Sequence, residues 1–197
     1  MQIEKELNQI LPESRIKTKY IDLVSYASDA GFYHLVPRAI VQPVNETEVV
    51  ALFKFSQQHK IPLVFRAGGT SLSGQSITDG ILVDLSQHWN NLKIEADGDY
   101  VRLQPGITGA MVNAFLRKFS RKIGPDPSSI SAAMMGGILS NNASGMCCGV
   151  QQNSYHTTRF IRFNLPLSIE RLRDHKMDVT VFGVSKNDGI VIFVFFK

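Results

Sequence analysis

A glycine-rich loop that directly follows an apolar segment is the feature that most constrains what this chain can fold into. Residues 66–75 read RAGGTSLSGQ, and the apolar segment 61–65 runs straight into them. Glycine lacks a Cβ, so a ligand can approach its backbone closely and the chain can adopt positive φ angles. Successive N–H groups in such a turn form an anion-binding concavity. The loop therefore predicts a phosphate or diphosphate site, with added hydroxyl donors from Thr70, Ser71 and Ser73.

Two well-known phosphate-binding motifs do not describe this loop. The lysine that follows the glycines of the nucleotide P-loop is missing, and so is the G-x-G-x-x-G spacing of dinucleotide-binding folds. Taken alone, the loop fits a glycine-rich turn without a ligand equally well.

A second segment, residues 124–145, favours the ligand-binding interpretation. It contains four glycines, several serines and the pair Asn141 and Asn142. Small residues allow a flat group to lie against the backbone, and amide side chains can both donate and accept hydrogen bonds at a ring edge. Tight packing alone would explain the alanines and Met135, but it explains the paired glycines and asparagines poorly.

Apolar spacing predicts three helices. The first covers the opening dozen residues and stops near Pro12, and the second begins at Asn45, with Glu48 three residues later, and runs to His59. Thr108 is predicted to cap the third helix. That helix is predicted to carry Met111, Val112, Phe115, Leu116 and Phe119.

The remaining pattern indicates short strands. Residues 22–36 are interpreted as irregular. Hairpins occur among the alternating helices and strands, so the fold class is predicted to be α+β rather than a purely parallel sheet. The predicted strands are residues 39–42, 63–65, 81–85, 92–95, 100–103 and 161–165.

Composition and charge exclude several classes. The 197 residues have an ordinary globular composition, and the net charge of +4 forms no basic stripe over residues 1–158, so nucleic acid is a poor candidate partner. The opening residues lack the apolar core of a signal peptide, and the apolar run 190–196 is too short to span a bilayer. Adjacent Cys147 and Cys148 exclude a disulfide framework or a four-cysteine metal site and favour a reducing compartment.

The ordered segments RAGGTSLSG, ILVDL, PG, GPDPSS, MMGG and NNASG resemble the FAD-binding domain of the vanillyl-alcohol-oxidase type. Within that type, the chain is most similar to the D-lactate dehydrogenase and glycolate oxidase subunit family. The resemblance implies an α+β fold in which two subdomains grip FAD. It divides the chain into an N-terminal helical segment (1–21), an FAD-binding domain (22–156) and an atypical tail (157–197).

The resemblance also implies which residues hold FAD. Arg66 begins the glycine-rich loop, where it either adds charge or forms an ordinary salt bridge. Some relatives carry a histidine that bonds covalently to the flavin where Thr70 stands, so FAD is expected to be non-covalent here. The backbone positions implied for the diphosphate are Ala67, Gly68, Gly69, Thr70 and Ser71. Positions implied along the flavin and ribityl chain are Pro127, Ser128, Ser129, Met134 and Gly137, and those near the isoalloxazine are Asn142, Ser144 and Gly145.

For the complete protein, the resemblance implies oxidation of a small 2-hydroxy acid such as D-lactate or glycolate. The electron acceptor would be a quinone, a cytochrome or an iron–sulfur protein. A cytoplasmic location is expected, with peripheral membrane association left open. Relatives bind the substrate with a covering domain, so no catalytic residue is assigned within this chain. No metal ligand is assigned either, because none of the five histidines forms a pair at metal-ligand spacing.

Residues 157–197 depart from the family pattern, as a shifted reading frame, an early stop or a genuine short variant would produce. Two alternatives to an enzyme therefore stay open, a non-catalytic FAD-binding module and an inactive truncated product. An exposed flavin edge would favour a homodimer.

Overall fold

The computed structural model describes residues 2–146, 149 and 151–158. The adjacent cysteines, the strand predicted at 161–165 and nearly all of the predicted tail lie outside the described residues.

A four-stranded mixed sheet forms the first subdomain. Its strands are β1 (Ile16–Lys17), β2 (Ala39–Val41), β3 (Leu63–Arg66) and β4 (Ile81–Asp84), in the order β1-β2-β4-β3. Strand β4 runs parallel to both β2 and β3, whereas β1 is antiparallel to β2. Parallel strands need crossover connections, and their carboxyl ends meet at one edge of the sheet. The glycine-rich loop leaves β3 at that edge.

Three helices accompany this sheet: α1 (Gln2–Leu7), α2 (Tyr20–Ser25) and α3 (Glu46–His59). Helix α3 begins as predicted, because the Asn45 side chain accepts a hydrogen bond from the Glu48 amide at 2.9 Å. The buried side chains of this helix, Val49, Leu52 and Phe55, pack into a core with residues of the sheet.

Two helix predictions in this subdomain need correction. Helix α1 ends at Leu7 rather than near Pro12, although turn hydrogen bonds from Ile10 and Leu11 to the Leu7 carbonyl keep the following residues compact. Leu7 and Leu11 are both buried, so the apolar spacing marked the core correctly but not the helix end. Helix α2 overlaps the segment 22–36, which the sequence pattern indicates is irregular.

Within the described part of the chain, the second subdomain contains a hairpin and three α-helices. The predicted hairpin is confirmed as β5 (Leu92–Glu95) and β6 (Tyr100–Leu103), which are antiparallel. The helices are α4 (Gly109–Leu116), α5 (Met135–Ser140) and α6 (Ser154–Thr157).

Helix α4 carries four of the five predicted apolar residues, because it ends at Leu116 and Phe119 lies in a short 3-10 helix after it. Thr108 caps it by accepting a hydrogen bond from the Met111 amide at 3.2 Å. Val112 and Leu116 are buried, but about half of the Met111 and Phe115 side chains is exposed, at 51% and 47%. One apolar stripe is enough to anchor a surface helix. Val112 and Leu116 join a second core that also contains Leu103, Ile107, Met135 and Ile138.

Candidate cofactor site

A cleft of about 600 Å³ is lined by residues from both subdomains. Its volume falls within the range of roughly 300–1,000 Å³ that is usual for small-molecule sites. The first wall is Phe65, near the end of β3, together with lining residues of the loop 67–76. The second wall is residues 127–143, which include α5.

The shape of the first wall depends on glycine at one position above all. Gly69 has a φ of +62°, and a Cβ added there would lie 2.6 Å from Nε and Nη2 of Arg66. The left-handed conformation and the lack of space both disfavour any side chain at this position. The Ser71 hydroxyl accepts hydrogen bonds from the Ser73 and Gln75 amides at 3.2 and 3.4 Å, so it is used within the loop itself.

The two walls touch at Gly68 and are joined again by an amide pair. A Cβ at Gly68 would lie 2.5 Å from the carbonyl oxygen of Ala132 and 3.2 Å from the Met134 nitrogen. Further along, Nε2 of Gln75 donates to Oδ1 of Asn141 at 2.9 Å. These contacts fix the separation of the walls.

The second wall is held by main-chain hydrogen bonds to the segment before α4. The Met135 amide donates to the Ile107 carbonyl at 2.8 Å, and the Gly136 amide donates to the Pro105 carbonyl at 2.9 Å. Apart from its chain neighbours and the backbone of its own helix, a Cβ at Gly137 would have no described protein atom within 4 Å, although this residue lines the cleft. Gly137 therefore leaves bare backbone facing open space that a ligand can fill.

The cleft has no charged lining among the described residues. Every side chain in the lining set is apolar, a hydroxyl or an amide. A bound anion would therefore be balanced by N–H and hydroxyl dipoles, as in a backbone nest. The Ser76 hydroxyl oxygen is buried without a hydrogen-bond partner among the described residues, so this wall keeps an unused polar atom. A buried hydroxyl without a hydrogen-bond partner needs an explanation, and a bound ligand would supply the partner.

Arg66 does not line the cleft but lies behind the first wall. Its Nη1 donates to the main-chain oxygens of Ser28 at 2.7 Å and Tyr26 at 3.3 Å. Its guanidinium also lies over the Tyr26 ring, 5.3 Å from the ring centroid. Arg66 therefore bonds to main-chain oxygens and to an aromatic ring, whereas one of its two expected roles was an ordinary salt bridge.

A buried carboxylate completes this region. Asp84, at the end of β4, is only 1% exposed, and its two oxygens accept hydrogen bonds from Tyr26, Gln42 and Ser86. Burial, together with the Asp84 charge and hydrogen bond, raises the pKa of Tyr26 to about 12. The Tyr26 hydroxyl therefore keeps its proton and serves as a donor to Asp84 throughout the physiological pH range.

The structure brings most of the predicted site residues to one cleft. Those that line it are Ala67, Gly68, Gly69, Thr70, Ser71, Pro127, Ser129, Met134 and Gly137. Those outside the lining set are Arg66, Ser128, Asn142, Ser144 and Gly145.

Two of the residues outside the lining set make other contacts. The Asn142 side chain accepts a hydrogen bond from the Tyr155 amide at 3.1 Å, and Gly145 packs against the main chain of Asp126. Ser128 is exposed. The cofactor roles implied for these residues stay predictions.

The cleft also contains polar residues that the predicted site omitted. Gln75 and Ser76 continue the first wall, while Ser140 ends helix α5 on the second. Asn141, which the sequence favours as a ring-edge contact but the implied FAD set leaves out, also lines the cleft. The available signal was the continued run of hydroxyl and amide residues beyond each glycine pair.

Comparison with known protein families identifies the domain. The family model described as "FAD binding domain" matches residues 37–166, which is more than half of the chain. The chain belongs to this FAD-binding domain family. The predicted cofactor, FAD, and the recognised family are thereby confirmed.

Curated relatives of this FAD-binding domain are much longer proteins. The chain is 34% identical over 132 residues to the D-2-hydroxyglutarate dehydrogenase of Pantoea ananatis, and the match covers 65% of the chain and 13% of the relative. It is 30% identical over 148 residues to glycolate oxidase subunit GlcD of Bacillus subtilis, covering 73% and 31%. The corresponding match to the D-lactate dehydrogenase of Archaeoglobus fulgidus is 30% over 142 residues, covering 69% and 30%. The chain thus spans less than a third of each relative.

Solved structures show the same fold. An alkyldihydroxyacetonephosphate synthase superposes with a TM-score of 0.64 at 19% identity, covering 73% of this chain and 29% of the other. The 6-hydroxy-D-nicotine oxidase of Arthrobacter nicotinovorans gives 0.63 at 17%, covering 72% and 31%. The α+β FAD-binding fold of the vanillyl-alcohol-oxidase type is therefore confirmed. No helix among the described residues has the length and apolar character to cross a bilayer.

The cleft residues fit FAD. The bare backbone at Gly137, the left-handed turn at Gly69 and the unused hydroxyl of Ser76 together offer room and polar contacts. A long cofactor with a diphosphate in its middle needs both, because its charged part requires donors and its ring requires space.

Proposed function

We propose that this domain binds FAD non-covalently in the cleft, as the cofactor-binding part of a flavoprotein that oxidises a small 2-hydroxy acid. The observation that carries the proposal is a cleft with exposed glycine backbone on both walls, in a domain of an FAD-binding family. When bound, FAD supplies two-electron redox chemistry that amino-acid side chains lack. The domain supplies position and electrostatics.

The first wall would hold the diphosphate. The left-handed conformation of Gly69 is typical of turns that present successive backbone N–H groups, and such groups can bind an anion without a lysine. The Thr70 hydroxyl lies in the same lining and can add a donor.

The second wall would hold the flavin and ribityl chain. Pro127, Ser129 and Met134 line it beside Gly137, and the small residues leave a surface that a flat ring can approach. The Gln75–Asn141 pair bridges the walls and would limit how far they separate around the cofactor.

Non-covalent binding follows from Thr70. Its hydroxyl cannot replace the imidazole that forms the flavin bond in some relatives. Purified chain saturated with FAD should therefore release all flavin into the supernatant on acid precipitation. Flavin that stays with the denatured polypeptide would overturn this part of the proposal.

The substrate class is supported by the relatives, whose names specify D-2-hydroxyglutarate, glycolate and D-lactate. Abstraction of the hydroxyl proton needs a base within hydrogen-bond reach, and a carboxylate needs a cationic clamp. The described cleft lining contains neither. We therefore place both groups, and the contact with a quinone, a cytochrome or an iron–sulfur protein, outside the described residues, in a cytoplasmic or membrane-peripheral enzyme.

A non-catalytic FAD-binding module is the second candidate, favoured by the same uncharged lining. The test is a fluorescence titration of purified chain with FAD, followed by dye reduction with D-lactate, glycolate and D-2-hydroxyglutarate. FAD binding without turnover is the expected result for this chain alone. Turnover near one per second, within the usual enzyme range, would show that a catalytic group is present in these residues. Absence of FAD binding would contradict both candidates.

A further inference from the structure

The polar contacts behind the first wall form one connected path. It starts at Asp84, whose Oδ2 accepts hydrogen bonds from the Tyr26 hydroxyl at 2.9 Å and from Gln42 at 2.8 Å. It continues through the Tyr26 ring to the guanidinium of Arg66. Arg66 and Asp84 are register partners on the adjacent parallel strands β3 and β4, so both ends of the path stand at one edge of the sheet.

The path ends directly against the glycine-rich loop. The guanidinium of Arg66 fills the space that a side chain at Gly69 would need, with Nε and Nη2 both 2.6 Å from the added Cβ. A second link comes from the same segment as Tyr26, because the Ala30 amide donates to the Ser71 carbonyl at 3.0 Å. The loop therefore rests on residues some forty positions earlier in the chain.

Several contacts hold the Arg66 side chain in one orientation. Its Nη1 bridges two main-chain oxygens, and its flat face is set by the Tyr26 ring. The ring in turn is oriented by the hydroxyl, which is tied to a carboxylate that is 99% buried. A planar guanidinium held at several points loses little further freedom when a ligand arrives.

We propose that Tyr26 and Asp84 are positioning residues for the cofactor. They hold the Arg66 guanidinium against Gly69, so the backbone of residues 67–71 is shaped for a diphosphate before the ligand binds. The same arrangement places a positive charge behind the loop without exposing it in the cleft. This inference rests on the proposed function, because it assigns these residues to FAD binding.

The test is Tyr26→Phe, which removes the hydroxyl and keeps the ring under Arg66. Local loosening should raise amide hydrogen exchange of residues 67–71 in the ligand-free chain at least about threefold. FAD affinity should fall roughly three- to tenfold. The phosphorus resonances of bound FAD should also shift, because the diphosphate environment changes. Arg66→Lys, which keeps the charge but loses the planar fork, should change all three measurements in the same direction.

Ser56→Ala is the matched control. It also removes one partly buried hydroxyl hydrogen bond, from Ser56 to the Ile61 carbonyl at 2.6 Å, but near the opposite end of β3. It should leave loop exchange, FAD affinity and the phosphorus resonances unchanged.

Unchanged exchange, affinity and phosphorus resonances in Tyr26→Phe would overturn the inference and leave the proposed function intact. Equal changes in Ser56→Ala would also overturn it, since they would indicate general destabilisation. A wild-type chain that binds no FAD would overturn the proposed function instead. Exchange in the ligand-free variants would then still decide whether the path shapes the loop.

Discussion

The two walls of the cleft are held in place by different kinds of contact. The first wall is a left-handed turn that rests on side chains, with Arg66 behind Gly69. The second wall is held by main-chain hydrogen bonds from Met135 and Gly136 to the segment before α4. Substitutions at Gly69 in the first wall should therefore change shape and stability together, whereas substitutions at Gly137 in the second wall should act through occupied space alone.

Gly69→Val should have the largest effect. It forces a β-branched residue into φ +62° and against Arg66, so the loop must change shape. Left-handed backbone costs a residue with a Cβ about 1–2 kcal/mol. FAD affinity should fall at least about tenfold, which corresponds to roughly 1.4 kcal/mol. Thermal unfolding and FAD titration of the same preparation check both effects, and an unchanged Kd would show that this loop does not hold the cofactor.

Gly137→Leu should separate binding from stability. Its Cβ meets no protein atom, and leucine favours a helix over glycine by up to about 1 kcal/mol. The free energy of unfolding should therefore stay equal or rise, while the side chain fills the cleft and lowers FAD affinity about tenfold. Gly137→Ala is the control with a smaller loss of affinity. Unchanged FAD binding in the leucine variant would place the flavin elsewhere.

Glu48→Gln should lower the free energy of unfolding without changing FAD affinity, which is the opposite of the effect expected for Gly137→Leu. Burial opposes ionisation of Glu48, but hydrogen bonds from Arg15 and the Val44 amide outweigh it and hold its pKa below the usual 4.5. A carboxyl group with a lowered pKa in the folded state stabilises the fold above pH 4.5, and this contribution is lost as the pH falls through the folded-state pKa. The variant should be about 1 kcal/mol less stable at pH 7.

The pH dependence of that difference is the measurement. Urea unfolding of wild type and Glu48→Gln should converge as the pH drops below 4.5. A difference that stays constant across this range would mean that the Arg15–Glu48 pair contributes nothing through charge.

Gln75→Ala should have the smallest effect. It removes two exposed hydrogen bonds, the one to Asn141 that joins the walls and the one that Gln75 Oε1 accepts from the Ser71 hydroxyl at 2.5 Å. A neutral hydrogen bond contributes about 0.5–1.5 kcal/mol to stability, and exposed ones fall at the low end. Only part of that loss falls on binding, so FAD affinity should change less than about threefold. A tenfold loss in the same FAD titration would show that Gln75 contacts the cofactor directly.

Much of the fold was predictable because its signals are local. The cap at Asn45, the cap at Thr108 and the hairpin turn each depend on residues within three or four positions. The width of the α4 face was not predictable, since exposure of Met111 depends on what packs against the helix. The end of α1 at Leu7 was missed because Leu11 is buried by a turn rather than by a further helical turn.

The candidate site likewise has features that the sequence predicted and features that it did not. Glycine pairs and hydroxyl runs predicted both walls, because bare backbone is a property of the residue itself. The contact between Gly68 and Ala132, and the path from Asp84 to Arg66, join residues far apart in the sequence. Nothing in the spacing of Tyr26, Arg66 and Asp84 indicates that they meet.

Hydrogen exchange of the chain with and without FAD tests the central claim most directly, since it reports where the ligand binds. Amides in residues 67–71 and 134–141 should be protected together on FAD binding, while those of α3 should be unchanged. Protection of both walls would support a cofactor held between the subdomains. Protection of only one wall, or of neither while FAD binds elsewhere, would contradict the account.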